Sequence, residues 1–192
     1  MDKSPLVLLE LVERLGNLMR AELRRTSGDL QPVHMQALVY LASANRYSNT
    51  PQAVGDYLGL TKGTISQTLL VLDRRGLIER YQDDLDRRVV RLRLSPAGEQ
   101  LLYDQQPHLA WQNATRNISP NRIRNAVSAL RETLQQWQED SEKGAFGTCA
   151  TCTHCRRLSQ RVNQCALMGD RLPGPELKKL CWLYEARGGT DA

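Results

Sequence analysis

All five cysteines of this 192-residue chain fall in one short stretch, at Cys149, Cys152, Cys155, Cys165 and Cys181, and the first 148 residues contain none. That distribution divides the chain. The long cysteine-free part must fold on an apolar core. The short tail is punctuated by Gly and Pro and has little apolar material of its own. In a reducing cytosol, clustered cysteines read as metal ligands or redox groups before structural disulfides. Metal binding would supply much of the folding free energy of such a tail. Gly144 and Gly147 mark the linker, so the expected division is 1–143 and 144–192.

Composition agrees with a folded, polyanion-compatible protein. Hydrophobic residues make up 41% and charged residues 24%, with a formal charge of +5, an ordinary globular balance. Phe146 is the only Phe, so the core must rest mainly on Leu and Val. The longest apolar run, Leu6–Leu9, is soon interrupted by Glu10, far short of the ~20 residues of a membrane span. The start, Met1-Asp2-Lys3, lacks the n-region and h-region of a signal peptide. A cytoplasmic protein with no membrane partner is expected.

Periodicity then places the elements. Leu8, Leu11, Leu15 and Leu18 recur at spacings of three and four, a narrow helical stripe over about 5–25 of the kind found in helix–helix seams. Pro32 opens a second helix, with Met35, Leu38 and Leu41 on its apolar face. A short helix follows Pro51 and ends at Gly59, which can take the left-handed conformation. Thr61 is a good N-cap for a fourth helix, with Ile65, Leu69 and Leu72 inward and Lys62, Thr64, Ser66 and Gln67 outward. At Ile78 the period changes from 3.6 to 2. Ile78–Tyr81 reads as a strand, 82–86 as a turn, and Val90, Leu92 and Leu94 as the inner positions of a return strand. Ser95-Pro96 and Ser119-Pro120 each signal a helix start, and Pro107 is expected to kink or end the first of these. Ile123, Val127, Leu130, Leu134 and Trp137 form a second narrow seam.

The fold class is therefore mainly α with a small two-stranded β wing: a winged helix-turn-helix flanked by dimerisation helices, plus a small Cys-rich metal module. A helix of this kind fits the major groove, where its first turns reach base edges. Short polar side chains such as Thr64, Ser66 and Gln67 suit that position, and Lys62 suits a phosphate or a guanine. Basic residues of the hairpin, Arg87 and Arg88 among them, can hold the backbone or enter the minor groove. The candidate DNA-binding residues are Thr61, Lys62, Thr64, Ser66, Gln67, Arg74, Arg87 and Arg88. No Ser/His/Asp set, phosphate-cradling Gly loop or H-E-x-x-H is present, so no catalysed reaction is expected. His34 reads as a structural or solvent-facing histidine.

The stretch Leu60-Thr61-Lys62-Gly63-Thr64-Ile65-Ser66-Gln67 resembles the recognition helix of the MarR family of bacterial transcriptional regulators. Leu72-Asp73-Arg74-Arg75-Gly76-Leu77-Ile78-Glu79-Arg80 resembles the helix end and first wing strand of that family. Asp83 to Arg88, then Leu92-Arg93-Leu94-Ser95-Pro96-Ala97-Gly98, resembles its wing and the entry to the next helix. The resemblance covers about residues 5–140. It implies a homodimer on a pseudo-palindromic double-stranded operator, acting as a repressor, with the first helix and the last two joining the subunits. The family wing carries Asp, any residue, then Arg, and another Arg three residues on. Here Asp83 and Arg88 match, Leu85 replaces the first Arg, and Arg87 stands as a substitute. Many members bind small effectors, and nothing in this chain identifies one.

In the tail, Cys152 and Cys155 form a C-x-x-C, with Cys165 and Cys181 completing four thiolates and Cys149 as a substitute ligand. Four thiolates serve zinc or a [4Fe–4S] cluster. Zinc held by four cysteines usually rests on two C-x-x-C knuckles, and the second is missing here. The run Cys152-Thr153-His154-Cys155-Arg156-Arg157-Leu158, then Cys165-Ala166-Leu167, then Cys181-Trp182, is similar to small high-potential-type iron–sulfur modules. A [4Fe–4S] cluster sensing redox or iron status is the first expectation. Structural Zn2+ beside a ligand-responsive regulator, thiol–disulfide switching, and an iron–sulfur redox carrier are the alternatives.

Overall fold

The computed structural model describes residues 3–84, 86–105, 108–139, 145–160 and 162–187. Leu85, Pro107 and Gly144, each given a role above, lie outside them. The helices are α1 (Ser4–Thr26), α2 (Pro32–Ser43), α3 (Pro51–Leu58), α4 (Lys62–Arg74), α5 (Pro96–Gln105), α6 (Leu109–Thr115) and α7 (Pro120–Glu139). Strands β1 (Ile78–Gln82) and β2 (Val90–Leu94) pair antiparallel, with Ile78 opposite Leu94 and Gln82 opposite Val90.

The core lies where α2, α3 and α4 meet the hairpin. Met35, Leu38, Leu69, Leu72, Ile78 and Leu92 are buried there, whereas Val90, expected to face inward at the end of its strand, is exposed. The expected boundaries hold for stated local reasons. Thr50 Oγ1 accepts from the Ala53 N–H at 3.2 Å, and Gly59 closes α3 at φ +66°. Ser95 Oγ accepts from the Gly98 N–H at 3.1 Å, starting α5. Gly98 is required by close approach: a Cβ there would overlap the Leu77 carbonyl oxygen. That contact fixes α5 against the end of the recognition unit.

Helix α1 differs from the narrow seam expected of it. Leu8, Leu11, Leu15 and Leu18 of α1 are exposed, and so are Leu6, Val7, Leu9, Val12 and Met19. The apolar surface therefore runs well beyond one stripe. In α7, Val127, Leu130, Leu134 and Trp137 are exposed, the last at 71%. Among the described residues no helix is long and apolar enough to cross a membrane.

The tail is built from short strands: β3 (Gly147–Thr148), β4 (Cys155–Arg157), β5 (Asn163–Cys165), β6 (Arg171–Leu172) and β7 (Leu180–Cys181). β3 pairs with β7, and β4-β5-β6 form a small antiparallel sheet with Cys155 opposite Cys165. The tail is docked onto the winged-helix part. Phe146 stacks edge-on against Tyr40 and Tyr57, with ring centroids 6.3 and 5.2 Å away. Leu180 and Trp182 pack against the main core.

Candidate nucleic-acid interface and cysteine site

Helix α4 presents the surface the sequence predicts. Lys62, Thr64, Ser66 and Gln67 are all exposed, with Ile65 and Leu69 buried behind them. Some of their polar capacity serves the helix itself. Thr61 Oγ1 accepts from the Thr64 N–H at 3.2 Å and shares a 2.9 Å hydrogen bond with Thr64 Oγ1. Ser66 Oγ donates to the Lys62 carbonyl at 2.8 Å. Thr61 is thus first an N-cap, while Gln67 and Lys62 present unspent long side chains. The helix N-terminus adds a positive end suited to phosphate.

On the hairpin, most guanidinium groups are paired with carboxylates. Arg80 pairs with Asp73 at 3.0 Å, Arg88 with Asp86 at 2.9 Å, Arg91 with Asp83 at 2.7 Å and Arg93 with Glu79 at 2.7 Å. Arg88 also closes the turn, its backbone N–H donating to Asp86 Oδ1 at 3.0 Å. The Arg88–Asp86 pair is solvent-exposed and so costs little to open. Arg74 and Arg87 are exposed, and Arg87 joins no ion pair among the described residues. The structure thus keeps every predicted nucleic-acid residue on the surface and singles out Arg87 as the readiest cation of the wing.

The tail brings all five cysteines to one buried cavity. Its wall includes Cys149, Cys152, Cys155, Cys165 and Cys181, together with Tyr47 of the winged-helix part. The overlapping C-x-x-C motifs explain the convergence of the first three. The Cys152 N–H donates to the Cys149 carbonyl at 3.2 Å and the Cys155 N–H to the Cys152 carbonyl at 3.1 Å. Two successive turns therefore stack three thiols. The β4–β5 pairing sets Cys165 beside Cys155, and β7 delivers Cys181. Leu172 and Leu183 complete an apolar lining. Among the described residues no three His, Cys, Asp or Glu side chains are grouped to hold one metal ion.

Electrostatics favour the anion at Cys181 and oppose it at Cys149 and Cys155. The Cys149 thiol hydrogen-bonds Cys181 and holds the Cys181 thiol below the usual range, and Asn45, Ser48 and the Leu183 backbone add to the effect against the cost of burial. The same hydrogen bond and burial push the Cys149 thiol up. Burial raises Cys155, opposed by Arg187. That guanidinium donates to the Cys152 and Cys155 carbonyls at 3.1 and 3.2 Å, so a cation flanks the thiols. The Asn45 side-chain nitrogen is buried without a well-formed hydrogen bond and belongs to the group around Cys181. These features fit a thiolate-bound group: apolar walls, a flanking cation and an amide donor in reserve for an ionised sulfur.

Sequence reasoning places the cysteines and misses their surroundings. Asn45, Tyr47, Ser48 and His154 line or support this site, and none carries a ligand motif. Only the tail's poverty in apolar residues hints that something outside it must complete the wall.

The three-helix unit, its capped recognition helix and the adjoining hairpin define a winged helix-turn-helix protein. Residues 28–89 match the model of the MarR family. It is 24% identical over 137 residues to the transcriptional repressor MprA of Escherichia coli strain K12, covering 68% of this chain and 74% of that protein. A MarR family transcriptional regulator from Silicibacter pomeroyi superposes with a TM-score of 0.57 at 25% identity, over 66% of this chain and 86% of that one. Streptococcus pneumoniae FabT, solved in complex with DNA, superposes with a TM-score of 0.55 at 23% identity, over 72% and 99%, and shows the shared fold. The family match ends at residue 89, before the cysteines begin.

Proposed function

We propose that this chain is a homodimeric repressor that binds a pseudo-palindromic DNA operator and carries, in its tail, a [4Fe–4S] cluster that reports redox or iron status. The DNA half rests on the family, on relatives named as a repressor and as a DNA complex, and on the exposed face of α4. Gln67 suits an adenine edge, and Lys62 suits a guanine or a phosphate. Arg87 at the wing supplies a backbone or minor-groove contact. The unpartnered apolar faces of α1 and α7 support the dimer, which spaces two recognition helices about 34 Å apart, one turn of DNA.

The single observation that carries the metal half is the convergence of five thiols on one buried, apolar cavity. A single zinc draws four sulfurs to about 2.3 Å from one point, whereas a cluster spreads its cysteines over several irons. The missing second C-x-x-C knuckle, with Cys165 and Cys181 standing alone, supports the second. When bound, the cluster supplies a redox-sensitive charge. The protein's own residues hold it: Cys152, Cys155, Cys165 and Cys181 as ligands, Cys149 as hydrogen-bond partner or substitute, and Arg187 as countercharge.

The test is operator affinity. A site selected from random duplex DNA with anaerobically purified protein is used to compare wild type with Cys165→Ser. Loss of metal with an affinity change of about tenfold, a typical coupling magnitude, is expected. Loss of metal with unchanged affinity under every redox condition would overturn the sensing role and leave the metal as a clip.

A further inference from the structure

The segment between α2 and α3 has two sides. On one side it holds the tail. The Asn45 N–H donates to the Leu180 carbonyl at 2.8 Å, and Ser48 Oγ accepts from the Trp182 N–H at 2.9 Å. Tyr47 donates its hydroxyl to Asp170 at 2.7 Å, and its buried ring packs with Cys149 and Leu172 in the wall of the cysteine cavity. Arg46 donates to the Arg171 carbonyl at 2.9 Å. On the other side the same segment holds the wing. The Leu92 N–H donates to the Asn49 carbonyl at 2.7 Å, and Asn49 Nδ2 donates to the Leu92 carbonyl at 3.0 Å and to the Tyr81 hydroxyl at 2.9 Å.

Arg91 crosses between the two sides. Its Nη1 donates to the Arg46 carbonyl at 2.9 Å and reaches Asn49 Oδ1 at 3.3 Å, while its Nε donates to Asp83 at 2.7 Å. The Arg91 and Asp83 side chains are only 15% and 19% exposed, so this is a semi-buried brace rather than a surface pair. Asp83 opens the wing turn. The path from cysteine cavity to wing tip is thus Tyr47, the Arg46 carbonyl, Arg91 and Asp83, each step a contact in the structure.

We propose that residues 45–49 form a wall shared by the cysteine site and the wing, and that Arg91 transmits the occupancy of that site to the wing rather than to the dimer helices. The inference rests on the reading of the cysteine cavity as a metal site. Metal binding would order the Cys149–Cys181 shell around the Tyr47 ring. Metal loss releases the shell, frees Arg46 and Asn49 to move, and loosens the wing base that Arg91 holds. Coupling of this kind needs an element with two arrangements that both sites bias, and a short segment held by hydrogen bonds on both sides is such an element.

Hydrogen exchange of the full-length protein tests it without an operator. Metal-loaded protein and protein stripped with an iron chelator are compared without oxygen, alongside Arg91→Lys. The lysine keeps a cation against Asp83 and loses the fork that reaches Arg46 and Asn49. In wild type, stripping should speed exchange across 82–92 by about tenfold while α1 stays unchanged. In Arg91→Lys the metal content should equal wild type and the wing should no longer respond to stripping. A metal-loaded wild type whose wing does not respond, or an Arg91→Lys protein that responds fully, overturns the inference alone. A chain that carries neither iron nor zinc overturns the metal reading, and this inference with it.

Discussion

His34 stands in the first turn of α2, and its Nδ1 accepts from the Gln31 N–H at 3.0 Å. That bond requires an unprotonated ring nitrogen. Burial first, and the nearby Arg75 cation second, hold its pKa below the ordinary 6.5. As pH falls, the unfolded chain takes the proton before the folded one does. The stability tied to His34 is therefore full above 6.5 and declines as pH drops below that value. Urea unfolding from about pH 7.5 down to about 5.5, a window that spans the ordinary histidine range, should show this decline, and His34→Gln should flatten it. A decline of equal slope in the variant would place the titrating group elsewhere. The sequence marks this histidine as structural or solvent-facing, and the capping role is what the first of those amounts to.

At the scale of elements, the proposed interface divides the work of binding between side chains of different kinds on α4 and the wing. Gln67→Ala removes a candidate base contact and should cost about 1–3 kcal/mol at one operator position, with little change on random DNA. Arg87→Ala removes a candidate phosphate contact. It should weaken binding to all sequences and reduce the slope of log affinity against log salt by about 1. Titrations at several salt concentrations distinguish the two, and a uniform loss for Gln67→Ala would contradict its placement in the groove. These elements are legible in the sequence because their signals are local. Thr61, Ser95, Pro32 and Gly59 act within one turn of themselves, and Ile65, Leu69 and Leu72 announce their face by spacing. The docking of the tail is not legible. It runs through backbone carbonyls, a serine, an asparagine and one tyrosine of an irregular segment, and such contacts leave no period. The apolar excess of α1 lies between these cases: the spacing shows a stripe, while exposure shows that Leu6, Leu9 and Val12 widen it.

At the scale of the whole molecule, one chain leaves the apolar faces of α1 and α7 open to water, and covering one of these half-exposed leucines with a second copy contributes on the order of 1 kcal/mol. Leu11→Glu combined with Leu15→Glu should shift the protein from dimer to monomer in sedimentation velocity and abolish tight operator binding. A variant that remains dimeric would move the interface away from α1. Phe146, Leu180 and Trp182 tie the tail into the main core.

The proposed sensing role turns on what the thiol-lined cavity holds, and the proposed occupant is an iron–sulfur cluster. The most direct measurement is the iron, sulfide and zinc content of protein purified without oxygen, taken with its visible absorption. Brown protein with about four iron and four sulfide per chain is the predicted result. Colourless protein with about one zinc per chain, or with no metal, would contradict it.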